Sequence, residues 1–470
     1  MPQPHVPRSP VRLVRFLVTA TVLTSMTIVG STDIASAAAG GELWVERYNG
    51  LSAGTDFATD LGVSPDGSSV FVTGGSTTST EDLDVATIAY AASDGSMKWE
   101  RRYGSRFDDT DIGSALAVSP DGSAVFVTGR SRSRTSGDDY LTIAYAASNG
   151  ARLWAARYTR TPETADLADA IAVSPDSQTV FITGQSSSAS SNAYATIAYA
   201  ATDGTRLWHT ISPGIAQANA MALGPDGTRV FIAGGIEGAT NKDYATTALD
   251  AASGAKLWNE TFNGDANGND VAIAIGVGRD GSRVFVTGRS DGETTLGNYA
   301  TIAYGAAGGS ERWVRTFHAR GQTYSKMALA VAPNGSRIVV TGSGVLDGHE
   351  QFATVAYGSS GAEAWSDRYD GPSNNFSIPF DVAISGDPRR AVVTGGSWNA
   401  ATKGYDVATI AYGVTHGSRV RVRRYDGPDG LSDKAADVEI DPSGSKAFVT
   451  GDSDSLVHMD DYLTIAYRLR

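Results

Sequence analysis

The chain has 470 residues, with 38 Lys and Arg against 51 Asp and Glu, a formal net charge of −13 and no cysteine. The missing thiol excludes a disulfide framework, a cysteine nucleophile, cysteine-ligated zinc and a lipoprotein anchor. The acidic balance argues against nucleic acid or an anionic membrane surface as partner.

In chain order, the first feature is a leader. Arg8, Arg12 and Arg15 precede an apolar, uncharged run over 16–29, and Ala35-Ser36-Ala37 supplies small residues for a signal peptidase. A run of 14 residues is short for a membrane span. The expectation is a signal peptide over 1–37, cleavage after Ala37, and a secreted protein whose single domain covers 38–470. Cleavage removes three Arg and one Asp and leaves a net charge of −15. No later apolar run reaches membrane-spanning length, so the expected mature protein is a monomer without membrane contact.

Next comes a repeat. Phe-Val-Thr-Gly or a close variant ends at Gly74, Gly129, Gly184, Gly234, Gly288, Gly342, Gly395 and Gly451, at intervals of 50 to 56 residues. So regular a period marks a repeat architecture. Each unit holds four short β-rich runs, punctuated by Pro-Asp-Gly and Asp-Gly or Asn-Gly turn chemistry. In the second unit these are strand A (Ala115–Ser119), B (Val125–Gly129), C (Tyr140–Tyr145) and D (Leu153–Tyr158). Tight turns make A–B and C–D hairpins, while the B–C and D–A connections are longer and polar. Val-Phe-Val and Thr-Ile-Ala-Tyr are apolar or small on both faces, so each sheet needs cover on both sides. Four-stranded sheets packed face to face around an axis meet that need: an all-β, eight-bladed β-propeller.

The ends of the repeat fix its closure. The first run after the leader, Trp44 to Tyr48, is a D strand with no A–C before it. The last, Tyr462 to Tyr467, is a C strand with no D after it. The N-terminal strand therefore completes the last blade, a 3+1 closure that removes two open sheet edges. Trp44, Trp99, Trp154, Trp208, Trp258, Trp313 and Trp365 recur in strand D, where they read as wedges between blades. The remaining D strand has Arg421 there, and Trp398 stands outside the pattern in a B–C loop.

The D–A and B–C loops share one face of such a ring. An Asp nine residues before the turn proline, or its equivalent, recurs as Asp56, Asp111, Asp166, Asp270 and Asp433, with Ala216, Tyr324 and Ser377 in the other units. These carboxylates are candidate ligands for a hard cation such as calcium, or clamps that accept backbone N–H bonds in their own loops. Asp84, Asp139, Asp243, Asp406 and Asp461, at the start of strand C, read as loop clamps too. The sixth unit departs most from the consensus. Tyr324 replaces the loop Asp, Gln351-Phe352 replaces Asp-Tyr, and His318, Arg320, His349 and Glu350 lie in its loops. His318, Arg320, Tyr324, His349 and Glu350 are the candidate ligand-binding set, suited to an anion or to acid–base work. In the second unit Arg106, Asp108, Asp109, Arg130, Arg132, Arg134 and Asp138 read as a solvated mixed-charge face.

Ala248-Leu-Asp250-Ala-Ala-Ser-Gly254-Ala-Lys-Leu-Trp258 resembles the tryptophan-docking motif of the quinoprotein dehydrogenases, and 90–99 is a looser copy. The Asp-Tyr-Ala-Thr-Ile-Ala-Tyr and Val-Thr-Gly phrases are similar to the short β-propeller repeats of secreted bacterial proteins. The resemblance covers 42–467 and implies an eight-bladed, PQQ-like propeller. For the quinoproteins it implies pyrroloquinoline quinone and calcium over the axis. This chain lacks the adjacent cysteines many of them carry, and units of about 54 residues leave no long insertions to build such a site. Calcium is therefore a candidate cofactor, and the quinone is not expected.

No nucleophile elbow, phosphate loop or dinucleotide fingerprint occurs. The expected function is a secreted, non-catalytic propeller that holds a protein or polysaccharide partner on its loop face. The alternatives are a quinoprotein-like oxidoreductase, or a lyase with His318 or His349 as base.

Overall fold

The computed structural model describes residues 41–51, 54–78, 82–104, 110–133, 137–162, 164–188, 191–238, 241–292, 297–319, 327–346, 348–372, 376–456 and 459–469. The expected leader lies outside them. Every regular element among them is a β-strand, and the strands form eight antiparallel four-stranded sheets. Blades 1 to 7 occupy 56–103, 111–158, 166–213, 215–262, 270–317, 328–369 and 377–425, each in the order A, B, C, D. Blade 8 takes strands A to C from Asp433–Ile440, Lys446–Asp454 and Asp460–Arg468, and strand D from Glu42–Tyr48. That strand runs antiparallel to Asp460–Arg468, with Trp44 opposite Ala466 and Tyr48 opposite Tyr462. The 3+1 closure is therefore present. Strand A of each blade packs on strand A of the next, all the way round from blade 8 to blade 1. The A strands thus line the axis, and the D strands form the rim.

The repeated phrase has a local cause. Strand A carries a β-bulge against strand B in blades 1, 2, 3, 4, 5, 7 and 8, for example between Ala58 and Asp60. The bulge swings a strand A carbonyl over the strand B glycine. A Cβ on Gly74 would land on the Phe57 oxygen, and one on Gly129 on the Ile112 oxygen. Only glycine leaves room for that close approach. The neighbouring threonine is buried and meets a threonine of strand C, as in Thr183–Thr196 at 3.0 Å and Thr287–Thr301 at 3.0 Å. These pairs satisfy hydroxyls inside sheets covered on both faces.

The strands are longer than their apolar centres suggest. In blade 2 they are Asp111–Val118, Ala124–Ser133, Gly137–Ala146 and Arg152–Tyr158. The aspartate assigned to the D–A loop is instead the first residue of strand A, and it is fully buried. Trp398 likewise belongs to strand B of blade 7 (Arg390–Asn399), not to a loop. Apolar patterning underestimated both strands because their ends are paired polar residues.

Tryptophan joins the blades. Trp99 of blade 1 lies between Phe71 of its own blade and Tyr145 of the next, with ring centroids 5.8 and 6.1 Å away. Its indole N–H donates to the Ala147 carbonyl at 2.9 Å. Trp154, Trp258 and Trp365 repeat the bond to the carbonyls of Ala201, Ala306 and Val414, at 2.8, 3.0 and 2.8 Å. Above Trp99 sits Gly150 with φ +67°, where a Cβ would come within 2.7 Å of the indole. A side chain there would meet both strain and collision. Emptying one such slot by Trp→Ala carries a cost of about 3–5 kcal/mol.

Closure makes the first strand a structural keystone. Deleting residues 1–50 removes Trp44 and Tyr48 from a buried cluster and opens the edge of blade 8. The melting temperature of the truncated protein should fall by about 10 °C or more. A melt that does not move would contradict the closed ring.

Candidate functional site

Start of A, end of B, start of C and end of D all meet on one face, here called the loop face. The five strand A aspartates are there, and four of them bond the connection that arrives from the preceding blade. Asp56 accepts the Gly50 N–H at 2.8 Å and the Ser76 hydroxyl. Asp166 accepts the Arg160 N–H at 2.8 Å and the Ser186 hydroxyl at 2.7 Å. Asp270 accepts the Gly264 N–H at 2.8 Å. Asp433 accepts the Gly427 N–H at 2.6 Å and the Ser453 hydroxyl. Asp111 has the same place in blade 2 and is also fully buried. Burial raises the carboxyls of Asp56, Asp166, Asp270 and Asp433, the last to about 7, against the opposing pull of these donors. In blade 7, Ser377 replaces the Asp and bonds Ser397 at 3.0 Å. Each bond ties the D–A connection to the end of strand B.

Three companion aspartates meet the arginine near the end of strand D, Arg157–Asp139 at 3.1 Å, Arg424–Asp406 at 2.6 Å and Arg47–Asp461 at 3.0 Å, whereas Thr261 stands at that place in the blade of Asp243. Arg102 sits 3.6 Å from Asp84 and donates to the Ser76 hydroxyl at 2.8 Å. The two series occur together in blades 1, 2 and 8.

The candidate set from the sixth unit is divided. Arg320 and Tyr324 lie outside the described residues. His318 follows strand D of blade 5, with Nδ1 3.3 Å from the Asn298 side-chain oxygen, and its own carbonyl accepts from Arg368 at 3.0 Å. His349 and Glu350 open strand C of blade 6. Burial raises the Glu350 carboxyl. Among the described residues, no ion pair or hydrogen bond joins His318 to His349 or Glu350.

His349 instead faces blade 7, where its ring meets the exposed Phe376 edge-on at 6.3 Å. Next along the face, Trp398 and Tyr405 pair across strands B and C with centroids 5.4 Å apart. Lys434 of blade 8 lies 5.4 Å from the Tyr405 ring centroid, a cation–π distance. Beyond it, Asp452, Asp454 and Asp460 of blade 8 hold carboxylate oxygens within 4.8 Å of one another. Burial and Asp454 raise Asp460 to about 7. A continuous strip of aromatic and charged groups therefore crosses blades 6 to 8. The signals in the sequence were Trp398, the tryptophan outside the repeat, and the departures His349 and Glu350 in the sixth unit.

A second group lines the axis. Asp381, Asp437 and Asp60, on the A strands of blades 7, 8 and 1, form a chain of carboxyls hydrogen-bonded to one another. Each also reaches the backbone of the next blade: Asp381 accepts Val438 N–H at 3.2 Å, Asp437 accepts Leu61 N–H at 2.9 Å, and Asp60 accepts Leu116 N–H at 2.5 Å. Glu439 accepts Val63 N–H at 3.0 Å. Burial and the neighbouring Asp437 push Asp60 and Asp381 up. Glu439 is open to the channel, although protein surrounds it; that enclosure, with Asp437 beside it, pushes its carboxyl up to about 8. The signal was available: Asp60, Asp381 and Asp437 each stand four residues after the first residue of their strand.

Pyrroloquinoline quinone with calcium does not fit these residues. The repeated aspartates are held in separate blades and do not converge on one ion. Among the described residues, the only three acidic groups close enough to share an ion are Asp452, Asp454 and Asp460, at a hairpin end.

Residues 241–411 match a family model described as outer membrane protein assembly factor BamB. No curated protein sequence matches the chain. Among solved structures, the protein is similar to Sqt1 from Chaetomium thermophilum, at 13% identity and a TM-score of 0.56, over 91% of this chain and 98% of that one. It is similar to BamB from Moraxella catarrhalis at 14% identity and 0.51, over 91% and 99%. Quinohemoprotein alcohol dehydrogenase from Comamonas testosteroni matches at 11% identity and 0.55, over 90% and 76%. At such identities the likeness is one of fold.

The channel carboxyls generate a pH dependence. Unfolded carboxyls titrate near about 4, whereas Asp60, Asp381 and Glu439 hold protons to higher pH. Their contribution is complete below about 4 and is lost as pH rises through the folded values, up to about 8 at Glu439. Glu439→Gln keeps an acceptor for Val63 N–H and cannot ionise. Its melting temperature should fall less than the wild type's between about pH 6 and 9. Parallel falls would show that Glu439 does not titrate there. The eight sheets and the 3+1 closure make the chain an eight-bladed β-propeller, and its 241–411 segment is similar to a family of PQQ-like propellers.

Proposed function

We propose that the protein is an exported, non-catalytic binding module that holds a partner on its loop face. The observation that carries this reading is the strip from His349 to Asp460, which places Phe376, Trp398 and Tyr405 beside charged groups on one face of a rigid ring. Partly exposed aromatics ringed by polar groups are common anchors for a partner. A protein segment is the favoured partner. One similar propeller, Sqt1, was solved bound to the N-terminus of the ribosomal protein L10, and BamB is described as an assembly factor. The polysaccharide reading rests on the Trp398–Tyr405 pair, whose rings offer stacking surfaces.

The non-catalytic reading is supported by how the candidate acid–base groups are used. The repeated aspartates are engaged by their own D–A connections, and the two histidines stand apart, His318 after blade 5 and His349 on strand C of blade 6. If the protein were a quinoprotein-like oxidoreductase, pyrroloquinoline quinone with calcium would raise its melting temperature and support dye-linked oxidation. If it were a lyase, replacing His318 and His349 with Ala would end turnover.

Two measurements test the proposal. Binding to a peptide library and to a panel of polysaccharides should be at least about tenfold weaker for Trp398→Ala. Leu153→Ala, on the rim, should change nothing. Equal binding by wild type and Trp398→Ala would remove the loop face from the function. Export predicts that the protein recovered outside the cell begins at Ala38; a product beginning at Met1 would sink that part.

A further inference from the structure

The three most exposed large apolar side chains among the described residues gather on the loop face where blade 8 meets blade 1. Leu51, Leu456 and Met459 are 75, 76 and 66% exposed. Leu456 and Met459 belong to the B–C hairpin of blade 8, where the Ser455 N–H donates to the Met459 carbonyl at 2.8 Å. Leu51 lies in the connection that leaves blade 8 for blade 1. Thr55 of that connection reaches the Met459 sulfur at 3.5 Å. On the other side, the Leu456 N–H donates to Asp429, in the connection arriving from blade 7, at 3.0 Å. The hairpin end is therefore braced from both sides, yet it presents its apolar side chains to water. The same connection is polar elsewhere: Thr78-Ser-Thr-Glu-Asp82 in blade 1 and Arg134-Thr-Ser136 in blade 2. A grouped apolar exposure of this kind, rimmed by polar groups, marks a docking surface.

The rim of this patch is acidic. Asp454 and Asp460 face each other across the hairpin, one residue inside Ser455 and Met459. Asp452 brings a third carboxylate oxygen within 4.8 Å of theirs. Asp429 holds the Leu456 amide, and Asp426 is exposed in the same connection. Of the nearby cations, Arg47 pairs with Asp461 and Arg424 with Asp406. Among the described residues that leaves Lys434, which stands opposite Asp452 on strand A and against the Tyr405 ring. Negative charge therefore exceeds positive charge beside the apolar patch.

We propose that this end of blade 8 receives a peptide segment in which bulky apolar residues alternate with lysine or arginine. The apolar side chains cover Leu51, Leu456 and Met459, and the cations meet Asp452, Asp454 and Asp460. This inference rests on the loop-face reading above and names the chemistry of the partner there. Through Lys434 the patch continues into the Tyr405–Trp398 pair, so a longer segment has a path along the strip. Charge decides against other occupants. An anionic polymer or lipid headgroup would meet like charge at the rim, and so would a second copy of a chain with net charge −13. A neutral saccharide would cover the patch without using the carboxylates. A cationic, apolar segment uses both.

The probes are two labelled peptides of equal length, one of alternating Lys and Leu and one of alternating Glu and Leu. They are measured at pH 8, above the value of about 7 to which burial and Asp454 raise Asp460. The lysine peptide should bind saturably, at least about tenfold more tightly than the glutamate peptide, and should weaken as salt is added. Replacing Asp452, Asp454 and Asp460 together with Asn should cost about tenfold and remove most of the salt dependence. Leu456→Ser with Met459→Ser should also cost about tenfold but keep the salt dependence. Those two side chains are exposed, so this variant keeps the test open if the first one misfolds. Lack of saturable binding to the wild type would overturn the proposal, as would equal binding of the two peptides or undiminished binding by either folded variant. So would calcium alone raising the melting temperature through the three aspartates while the lysine peptide does not bind. A library partner that needs Trp398 but ignores both variants would sink this inference and leave the loop-face reading intact.

Discussion

The structure depends on one contact: a rim tryptophan of one blade lying under a left-handed glycine of the next. Neither residue has a role alone. Gly204 has φ +73°, and a Cβ there would come within 2.7 Å of Trp154. The indole needs that gap to bury itself and to reach a carbonyl across the seam. Each blade thus supplies a wedge to one neighbour and a slot to the other. No blade covers both its faces by itself, so stability is a sum of neighbour terms that closes only when the ring does. This is why a strand from the start of the chain must complete the last blade. An unpaired C strand would expose an edge, and the wedge from Trp44 into blade 1 would be lost.

The same logic decides what could be read from the sequence. The fold was legible because every repeated residue serves the unit. The glycine of Val-Thr-Gly takes a bulge carbonyl, and its threonine answers a threonine on strand C. Strand ends were less legible. Asp111 and Trp398 look like loop residues because polar pairing, not apolar burial, holds them in the ladder. The channel carboxyls were hidden for another reason. Asp60 and Asp437 are ordinary polar positions on two strands about as far apart in sequence as the chain allows. Only ring closure makes them neighbours. The loop-face strip was half legible. His349 and Glu350 stood out as departures, whereas Phe376, Tyr405 and Lys434 look unremarked until three blades set them side by side.

Net charge alone says little about where acidity acts. The turn aspartates are spent on local structure: Asp66 accepts the Ser64 hydroxyl and the Ser68 N–H, which hold its carboxyl down to about 2. Those at the heads of strand A are buried acceptors, and those at the start of strand C pair with arginine. After these are assigned, the remaining buried acidity is concentrated in the channel at blades 7, 8 and 1. There carboxyls share protons because no cation faces them among the groups that set their titration. A carboxyl–carboxyl bond and a carboxyl–amide bond cooperate here. The proton removes the repulsion, and the amide fixes which blade follows which.

Three departures from eightfold symmetry lie close together. The aromatic strip, the channel carboxyls and the tryptophan-free seam all fall in the arc from blade 6 through blade 8 to blade 1. A strictly repeated ring offers the same surface at every blade and so cannot hold an asymmetric ligand in one place. Recognition needs a blade unlike its neighbours, and each substitution there gives up a repeated contact. Replacing the wedge with Arg421 forfeits an indole and its hydrogen bond in a ring that uses both at every other seam. The loss falls beside the blade that closes the ring. Blade 8 is assembled from both ends of the chain, and its neighbours must already hold it by other means. The channel carboxyls supply such a means, bonding blade 7 to 8, 8 to 1 and 1 to 2 through backbone amides. The inner lock therefore holds blade 7 to blade 8 at the seam that has lost its wedge.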